Sequence, residues 1–458
     1  MARRRPSSSV RTNWGGPRAA LGAILAGAAA LRLAGIQYGL PYGSLLDPDE
    51  QNVVPRAWRM THGGGLDPHF FDWPTLVTYA VAPFQASQGG PSYLTGRLVI
   101  VAFALAGVGA AWWLGCAAYG TVAGAVAATA TAVATTHVAF SHAAVTDVPL
   151  TTFVTLALAL LVTGRFELAG IAIGLATAAK YPGAIAVVPL VVVAWRQWRR
   201  LSLSLALAGF VFFAASPFVF LDAGSTWSAL ARIQREHRRG WLGFEHDHWS
   251  GIAFAGRLWD GLGPVLLIAA VALFVALALR SRRGDLVLGV FVVAYYASLL
   301  PLHSHFTRYV LPLIPALGAL AGRFRALAPV TLLLLIVPLA WSIRDDARLT
   351  RTDTRVVAAR WIATHVPKGS TIAAESSTAV PRGYPVVPIP LPLPGHDARV
   401  DVDSARWVIV SGAVADRVLA AHQEYPQRSA FYAGLPQPAF RLRAHDGTSG
   451  PWVAVYRL

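Results

Sequence analysis

The chain has 458 residues, of which 55% are hydrophobic and only 14% are charged. Soluble globular domains carry about 25% charged residues, so this composition argues against an entirely water-exposed surface. The formal net charge is +16, and a basic balance can indicate nucleic acid binding. Here the arginines stand in short clusters between apolar runs, which favours a membrane protein that binds no nucleic acid. One cysteine, Cys116, permits neither an internal disulfide nor a zinc–cysteine cluster.

The N-terminus begins with a basic tail, predicted over residues 1–17, that contains Arg3, Arg4 and Arg5. An apolar run over 18–38 follows. It is long enough to span a bilayer, and no small-x-small motif ends it. We therefore expect an uncleaved first helix rather than a removed signal peptide.

Apolar runs of about 17–25 residues are typical of membrane-spanning helices. We expect about eleven of them, within a transmembrane domain over 18–343, at 18–38, 94–115, 121–141, 146–163, 168–180, 182–195, 202–221, 263–280, 285–301, 308–322 and 327–343. Proline at 182 separates the fifth from the sixth. The predicted fold is an all-α polytopic membrane protein with a small outer α/β domain.

Arginine clusters predict the orientation. Clusters near 165, 196–200, 280–283 and 323–325 fall in alternate short loops, as the positive-inside rule requires if the N-terminus is cytoplasmic. The first outer loop is then 39–92, and residues 344–458 form an extracytoplasmic domain. Its predicted elements are a helix over 355–365 and strands over 370–374, 407–411 and 452–456. The proline-rich connection over 381–394 cannot hold a central strand.

The first outer loop carries the sharpest pattern. Asp47, Asp49 and Glu50 stand just beyond the first predicted helix. Asp49 and Arg56 are seven residues apart and so share one helix face. A capped interfacial helix with a solvated acidic start accounts for these residues equally well. The aromatic residues that follow also suit a belt at headgroup depth.

Several short motifs, in this order and topology, resemble the GT-C superfamily of polyprenyl-phosphate-sugar-dependent glycosyltransferases, in the branch of protein O-mannosyltransferases and lipid A aminoarabinose transferases. The likeness covers about residues 15–345. The matching stretches are Pro48-Asp49-Glu50, Pro68-His69-Phe70-Phe71-Asp72-Trp73-Pro74, Asp147 in TDVPL, Gly174-Leu175-Ala176 leading into Lys180-Tyr181, and Arg308-Tyr309 in RYVLPLIP.

The resemblance implies a polyprenyl-phosphate-linked sugar as donor, held in the bilayer with its phosphate at headgroup depth. It implies Asp49 as the general base and Glu50 as its catalytic partner, with Asp147 orienting a substrate. Cations at helix ends suit the phosphate, although Arg32 and Arg97 could equally extend to the interface without a ligand. The implied substrate-binding residues are Arg32, Arg56, His69, Arg97, Asp147, Lys180, Tyr181, Arg308 and Tyr309.

The resemblance also implies inversion at the anomeric carbon and a multi-pass protein of a bacterial plasma or inner membrane. No cofactor is required, although Asp47, Asp49, Glu50 and Asp147 could together hold a divalent metal. The acceptor is left open among glycan, lipid and protein. Two alternatives remain at this point: a transporter or lipid flippase with an outer-facing anion cavity, and a non-catalytic scaffold. The absence of an internal repeat argues against a transporter with two related halves.

Overall fold

The computed structural model describes residues 15–43 and 45–458. Most of the predicted basic tail, residues 1–14, lies outside the described residues. A helical part extends to Leu349, and an α/β domain follows from Thr352. The helices of the first part are α1 (Gly15–Leu33), α2 (Glu50–Thr61), α3 (Leu76–Val81), α4 (Tyr93–Tyr119), α5 (Thr121–Val133), α6 (Thr135–Ser141), α7 (Asp147–Val162), α8 (Phe166–Ala179), α9 (Val187–Ala194), α10 (Trp198–Ala215), α11 (Phe218–Leu221), α12 (Ala223–Arg239), α13 (Ser250–Leu262), α14 (Val265–Leu279), α15 (Arg283–Leu299), α16 (Leu313–Ala321), α17 (Ala328–Leu334) and α18 (Ile336–Leu349).

Each predicted span contains a helix, but few of these helices are long. Within residues 15–43 and 45–458, three helical stretches are long and apolar enough to cross a membrane: α4, α10 and the stretch Arg325–Leu349 that includes α17 and α18. The number is five if two bent pairs each count as one span, α5 with α6 at 56° and α13 with α14 at 119°. This count is lower than the eleven expected from hydropathy.

Most of the difference arises from length, because several apolar helices are short, such as α7 with 16 residues and α8 with 14. Proline and glycine also break the backbone at two places. The helix α8 ends before Lys180, whose backbone is extended (φ −161°, ψ 137°), and Pro182 begins the short 3-10 helix Tyr181–Ala186. Between α13 and α14, Gly263 takes a positive φ of 54° and Pro264 precedes the new helix. Apolar runs that look continuous in sequence are therefore broken in the backbone.

The centre of the helical part is a bundle in which α4 packs against α5 and α7, and α8 packs against α10. Small residues let these helices approach closely. A Cβ atom on Gly115 would lie 2.4 Å from the backbone oxygen of Ala123. Any larger side chain there would force α4 away from α5.

The C-terminal domain holds a five-stranded sheet in the order β3-β2-β4-β7-β5. The first three strands are parallel, and β7 runs antiparallel to β4 and β5. The elements are β1 (Thr352–Asp353), α19 (Thr354–His365), β2 (Ile372–Glu375), β3 (Val386–Ile389), β4 (Trp407–Ser411), α20 (Gly412–Ala420), α21 (Pro426–Ala433), β5 (Phe440–Leu442), β6 (Thr448–Ser449) and β7 (Val453–Arg457). The proline-rich connection supplies β3 at the sheet edge, where a missing backbone donor is tolerated.

The C-terminal domain is tied to the first loop, residues 39–92. Arg355 forms a buried ion pair with Asp353, at 2.6 Å, and its Nη2 also donates to the backbone oxygen of Leu45 at 2.7 Å. Ser449 donates to the backbone oxygen of Arg348 at 2.7 Å. The domain therefore holds the segment that leads directly into Asp47 and Asp49.

Candidate active site

Arg308 joins the two aspartates of the first loop. Its Nη2 lies 3.2 Å from Asp49 Oδ2, and its Nη1 lies 3.8 Å from Asp47 Oδ2. The turn is fixed locally, because Asp47 Oδ1 accepts a hydrogen bond from the backbone N–H of Asp49 at 2.9 Å. Arg308 is brought to this place by the 3-10 helix Thr307–Val310, which precedes α16.

The two aspartates differ in environment. Asp47 is buried, and this burial raises its pKa to about 7 against the opposing effect of Arg308. The side chain of Asp49 is 20% exposed. Asp49 is thus the carboxylate of this pair that a ligand can reach, whereas Asp47 acts mainly as a buried partner of Arg308.

A second ion pair is formed where two helices of the bundle begin and end. Asp147 is the first residue of α7, and Lys180 follows the last residue of α8. Lys180 Nζ lies 2.7 Å from Asp147 Oδ1. The other carboxylate oxygen of Asp147, Oδ2, is buried without a hydrogen-bond partner among the described residues.

Tyr309 connects the two ion pairs. Its ring lies 5.4 Å from Lys180 Nζ and 5.9 Å from the guanidinium carbon of Arg308. Its hydroxyl lies 3.2 Å from His237 Nε2, and His237 Nδ1 lies 2.6 Å from the hydroxyl of Ser304. These contacts join residues from the first loop, α7, α8, α12 and the segment 303–309 into one cluster, which we call the Asp49 cluster: Asp47, Asp49, Asp147, Lys180, His237, Ser304, Arg308 and Tyr309.

Sequence reasoning did not find His237 or Ser304. Burial, followed by the charges of Lys180 and Arg308, lowers the pKa of His237 to about 4. The imidazole is therefore neutral near pH 7 and serves as a hydrogen-bond partner for Tyr309. In the sequence, the basic run 232–239 around His237 is typical of an amphipathic outer helix lying on headgroups, with substrate contact possible. It carries no specific signal for the bond to Tyr309.

Glu50 and Arg97 form a buried ion pair beside the cluster. Both are fully buried, and Arg97 holds the Glu50 carboxylate in two hydrogen bonds of 2.8 and 2.7 Å. Glu50 also accepts from the backbone N–H of Ala144, and Arg97 donates to the backbone oxygens of Ile36 and Tyr38. These contacts hold the first loop on the bundle, and the predicted catalytic role of Glu50 and binding role of Arg97 stay predictions.

Arg32 is also buried away from the cluster. It donates to the backbone oxygens of Ala28, Thr131 and Ala132 and contacts His137 Nδ1 at 3.0 Å. These contacts join α1 to α5 and α6. The structure thus gives Arg32 a packing role between helices, and its predicted contact with substrate stays a prediction.

Three other predicted residues shape the first loop. Arg56 donates to the backbone oxygen of Pro68 at 3.2 Å and covers the ring of Phe70 at 4.3 Å. The hydroxyl of Tyr181 donates to the backbone oxygen of Phe71 at 3.0 Å. His69 is 74% exposed and pairs with Asp67. Arg56 and Tyr181 thus hold the loop, while the side chain of His69 is open to solvent.

The four carboxylates considered for a metal are divided among three cations. Asp47 and Asp49 pair with Arg308, Asp147 with Lys180, and Glu50 with Arg97. Within residues 15–43 and 45–458, no three histidine, cysteine or acidic side chains gather as a metal-binding group. Each of the four carboxylates therefore lies beside a cation in this structure.

Solved structures share this architecture. The aminoarabinose transferase ArnT from Cupriavidus metallidurans, bound to undecaprenyl phosphate, is 16% identical, with 97% of this chain and 98% of that chain covered and a TM-score of 0.57. The Archaeoglobus fulgidus oligosaccharyltransferase AglB, in complex with an inhibitory peptide and a dolichol-phosphate, is 12% identical, with 97% and 74% covered and a TM-score of 0.59. At these identities the likeness shows a common fold. The protein thus has the architecture of the GT-C membrane glycosyltransferases.

The sequence identifies the family. The pattern of glycosyltransferase family 87 matches residues 71–302, about half of the chain. The chain belongs to glycosyltransferase family 87, and the protein is a glycosyltransferase. No curated protein matches its sequence. Neither the family nor the fold favours the transporter or flippase alternative.

Proposed function

We propose that the protein transfers a sugar from a polyprenyl-phosphate donor to an acceptor hydroxyl, with Asp49 as general base and inversion at the anomeric carbon. One observation carries the proposal. A partly exposed carboxylate, that of Asp49, lies 3.2 Å from Arg308, in a cluster that also holds Lys180. The transfer needs a base for the acceptor and cations for the phosphate, and this cluster contains both.

Lys180 and Arg308 are the cations suited to the donor phosphate. Each side chain is 16% exposed, and Arg308 Nε is buried without a partner among the described residues. ArnT and AglB, which share the fold, have structures with undecaprenyl phosphate and dolichol-phosphate, respectively. The leaving phosphate needs charge stabilisation more than a proton. Two cations supply that charge, so the proposal requires no metal.

Asp49 is suited to accept the proton. An acceptor hydroxyl attacks the anomeric carbon as its proton moves to the Asp49 carboxylate. The bond between the anomeric carbon and the phosphate oxygen breaks, and the phosphate leaves with the electron pair. Attack opposite to the leaving group inverts the anomeric carbon. Asp47 is the weaker candidate for the base because it is buried, while Asp147 is committed to Lys180.

The arginine clusters support placing the site on the outer face. Asp147 begins α7 and Lys180 follows α8, whereas Arg165 lies in the short connection between these two helices. The site and Arg165 are therefore at opposite ends of the same helix pair. With basic loops facing the cytoplasm, the Asp49 cluster and the domain 344–458 lie outside, and the tail 1–17 lies inside, at a bacterial plasma or inner membrane.

Mass spectrometry of lipids that co-purify with the protein tests the donor class. We expect polyprenyl phosphates or their glycosylated forms in wild-type preparations, and transfer of labelled sugar from such a donor to an added acceptor. Preparations that bind no polyprenyl phosphate and turn over only nucleotide-linked sugars would contradict the proposal.

A further inference from the structure

A cavity of about 560 Å³ lies outside the Asp49 cluster. One side is the loop 238–250 that connects α12 to α13, and a second is the segment around His303 and His305. Pro394 and Glu424 of the C-terminal domain complete it. The cavity thus exists only where the domain meets the helical part.

The C-terminal domain meets this cavity close to the carboxyl ends of its parallel strands. Open α/β sheets bind ligands beyond the carboxyl ends of their parallel strands. Pro394 comes shortly after β3, and Glu424 comes shortly before α21. The helix α21 covers this edge of the sheet through two hydrogen bonds. Arg428 donates to the backbone oxygen of Pro390 at 2.7 Å, and Tyr432 donates to Glu375. Tyr425 donates to Glu245 at 2.7 Å, which joins the edge to the loop 238–250.

The lining has the chemistry of a saccharide site. The aromatic side chains of the lining are Trp241, Phe244 and Trp249. Aromatic faces can pack against the apolar C–H faces of uncharged sugar rings, because both surfaces are then removed from water. Glu424 supplies a carboxylate acceptor for hydroxyl groups. The other two lining carboxylates have protein partners, Glu245 the Gly243 N–H and Tyr425, and Asp247 Arg257 and His305. Trp249 is 67% exposed and so has ring surface free for a ligand.

Charge distinguishes a neutral ligand from a phosphorylated one. Three carboxylates line the cavity together with two guanidinium groups, those of Arg238 and Arg239. Asp247 is also paired with Arg257, which is not among the lining residues, so the charges balance. The lining therefore offers no excess of cations for a phosphate. This cavity therefore favours a neutral, polyhydroxylated ligand.

One chain segment is common to the cavity and the Asp49 cluster. His303 lines the cavity, and its backbone N–H donates to the backbone oxygen of His237 at 2.8 Å. From there, Ser304, His237 and Tyr309 form the hydrogen-bonded chain described above. The segment that contains His303 and Ser304 therefore separates a ligand in the cavity from the Asp49 cluster.

We propose that this cavity binds a neutral saccharide chain, as the part of the acceptor that is remote from its reacting hydroxyl. The assignment rests on the proposed glycosyl transfer and names its acceptor class.

The test measures binding of octyl glycosides that carry one to three neutral hexoses, and of a phosphorylated counterpart, to the full-length protein in detergent. Trp249→Ala and Glu424→Gln should each weaken binding of the neutral trisaccharide glycoside by about tenfold or more. Polyprenyl phosphate binding should stay unchanged. Trp227→Ala is the matched control, since Trp227 is 74% exposed on α12 and does not line the cavity. Unfolding midpoints verify that each variant is folded.

Each outcome decides a separate point. Variants that bind the trisaccharide glycoside as Trp227→Ala does would overturn the assignment, as would tighter binding of the phosphorylated glycoside. Wild-type protein that binds polyprenyl phosphate but no glycoside would refute the cavity assignment and leave the donor proposal intact. The wild-type protein could instead bind the glycoside, with binding weakened by Trp249→Ala, and bind no polyprenyl phosphate. That result would support the saccharide site and refute the proposed donor class.

Discussion

Lys180 and Arg308 approach the same aromatic ring, that of Tyr309, from different parts of the chain. Lys180 Nζ lies 5.4 Å and the Arg308 guanidinium carbon 5.9 Å from the ring centroid. Lys180 also pairs with Asp147, and Arg308 pairs with Asp47 and Asp49. The mutual repulsion of the two cations is thus offset by three carboxylates, and both cations are already in place for the phosphate of the proposed donor.

Removal of either cation should weaken donor binding. Lys180→Met or Arg308→Met is expected to raise the Kd for a polyprenyl phosphate by about tenfold or more, because a charge-assisted hydrogen bond is worth ~1.5–3 kcal/mol. The control is Lys368→Met, at the other lysine of the chain, which is exposed in the C-terminal domain. Binding measured by native mass spectrometry at two salt concentrations checks this. Equal Kd values for Lys180→Met and Lys368→Met would place the phosphate elsewhere.

Asp49→Asn should abolish most transfer while leaving the donor bound. General bases contribute about 10²–10⁴-fold to rate, so we expect a loss of that size in kcat with little change in polyprenyl phosphate affinity. Asp67→Asn, in the same loop and paired only with the exposed His69, is the matched control. Single-turnover transfer of labelled sugar measures both variants. A kcat for Asp49→Asn within a few-fold of the wild-type value would require another base.

Glu50→Gln should act on stability. Breaking a buried ion pair by neutralising one partner costs about 3–5 kcal/mol of unfolding free energy, because the other charge is left buried. We expect a clearly lower thermal unfolding midpoint for Glu50→Gln, partly restored in the double variant Glu50→Gln, Arg97→Met.

A second, more exposed pair provides the control for this prediction. Arg200 and Glu167 form a similar two-bond contact, with side chains 43% and 31% exposed. Exposed pairs contribute about 0–1 kcal/mol, so Glu167→Gln should hardly move the midpoint. A fully stable Glu50→Gln protein with no transfer activity would instead return Glu50 to a catalytic role.

The stability of the C-terminal domain should fall as pH rises through about 7. Burial raises the pKa of Glu375 to about 7, while the hydrogen bonds from Tyr432 and the Ser411 N–H oppose the shift. An unfolded glutamate titrates near pH 4.3. The folded domain therefore holds this proton more tightly, and the resulting stability is complete below about pH 4 and lost as pH rises through about 7.

Glu375→Gln, which mimics the protonated side chain, should remove this contribution. Hydrogen exchange of β2 and β4 between pH 5 and 8, corrected for intrinsic exchange rates, compares the variant with the wild type. Asp446→Asn, at an exposed carboxylate of the same domain, should keep the wild-type pH dependence. An identical dependence in Glu375→Gln would show that Glu375 titrates at its ordinary pKa in the folded domain.

Candidate site residues were easier to choose from the sequence than their positions in the fold were to predict. Motifs at Asp49, Asp147, Lys180 and Arg308 suggested one site, and the structure brings these four residues into one cluster. Arg32 and Arg97 are cations near helix ends, as Lys180 and Arg308 are, but both are buried and form hydrogen bonds within the protein. Hydropathy does not distinguish a cation that faces a cavity from one that pairs with a carboxylate inside the bundle.

Elements of the C-terminal domain were easier to predict than the span count. The strand predicted over 407–411 agrees with β4, and the predicted helix 355–365 lies within α19. Strand alternation and helix periodicity are local properties. The break next to Lys180 could be predicted from Pro182, whereas the sharp bend at Gly263 depends on a backbone conformation that the apolar sequence does not indicate.

The hydrogen bond from Arg355 to Leu45 joins a residue of the last domain to the loop made first, over a separation of 310 residues. The backbone oxygen of Leu45, two residues before Asp47, therefore gains this partner only after the chain has been synthesised as far as Arg355. Contacts of Arg97 with Ile36 and Tyr38 can form much earlier. A growing chain thus carries Asp49 long before the C-terminal domain can hold the segment next to it.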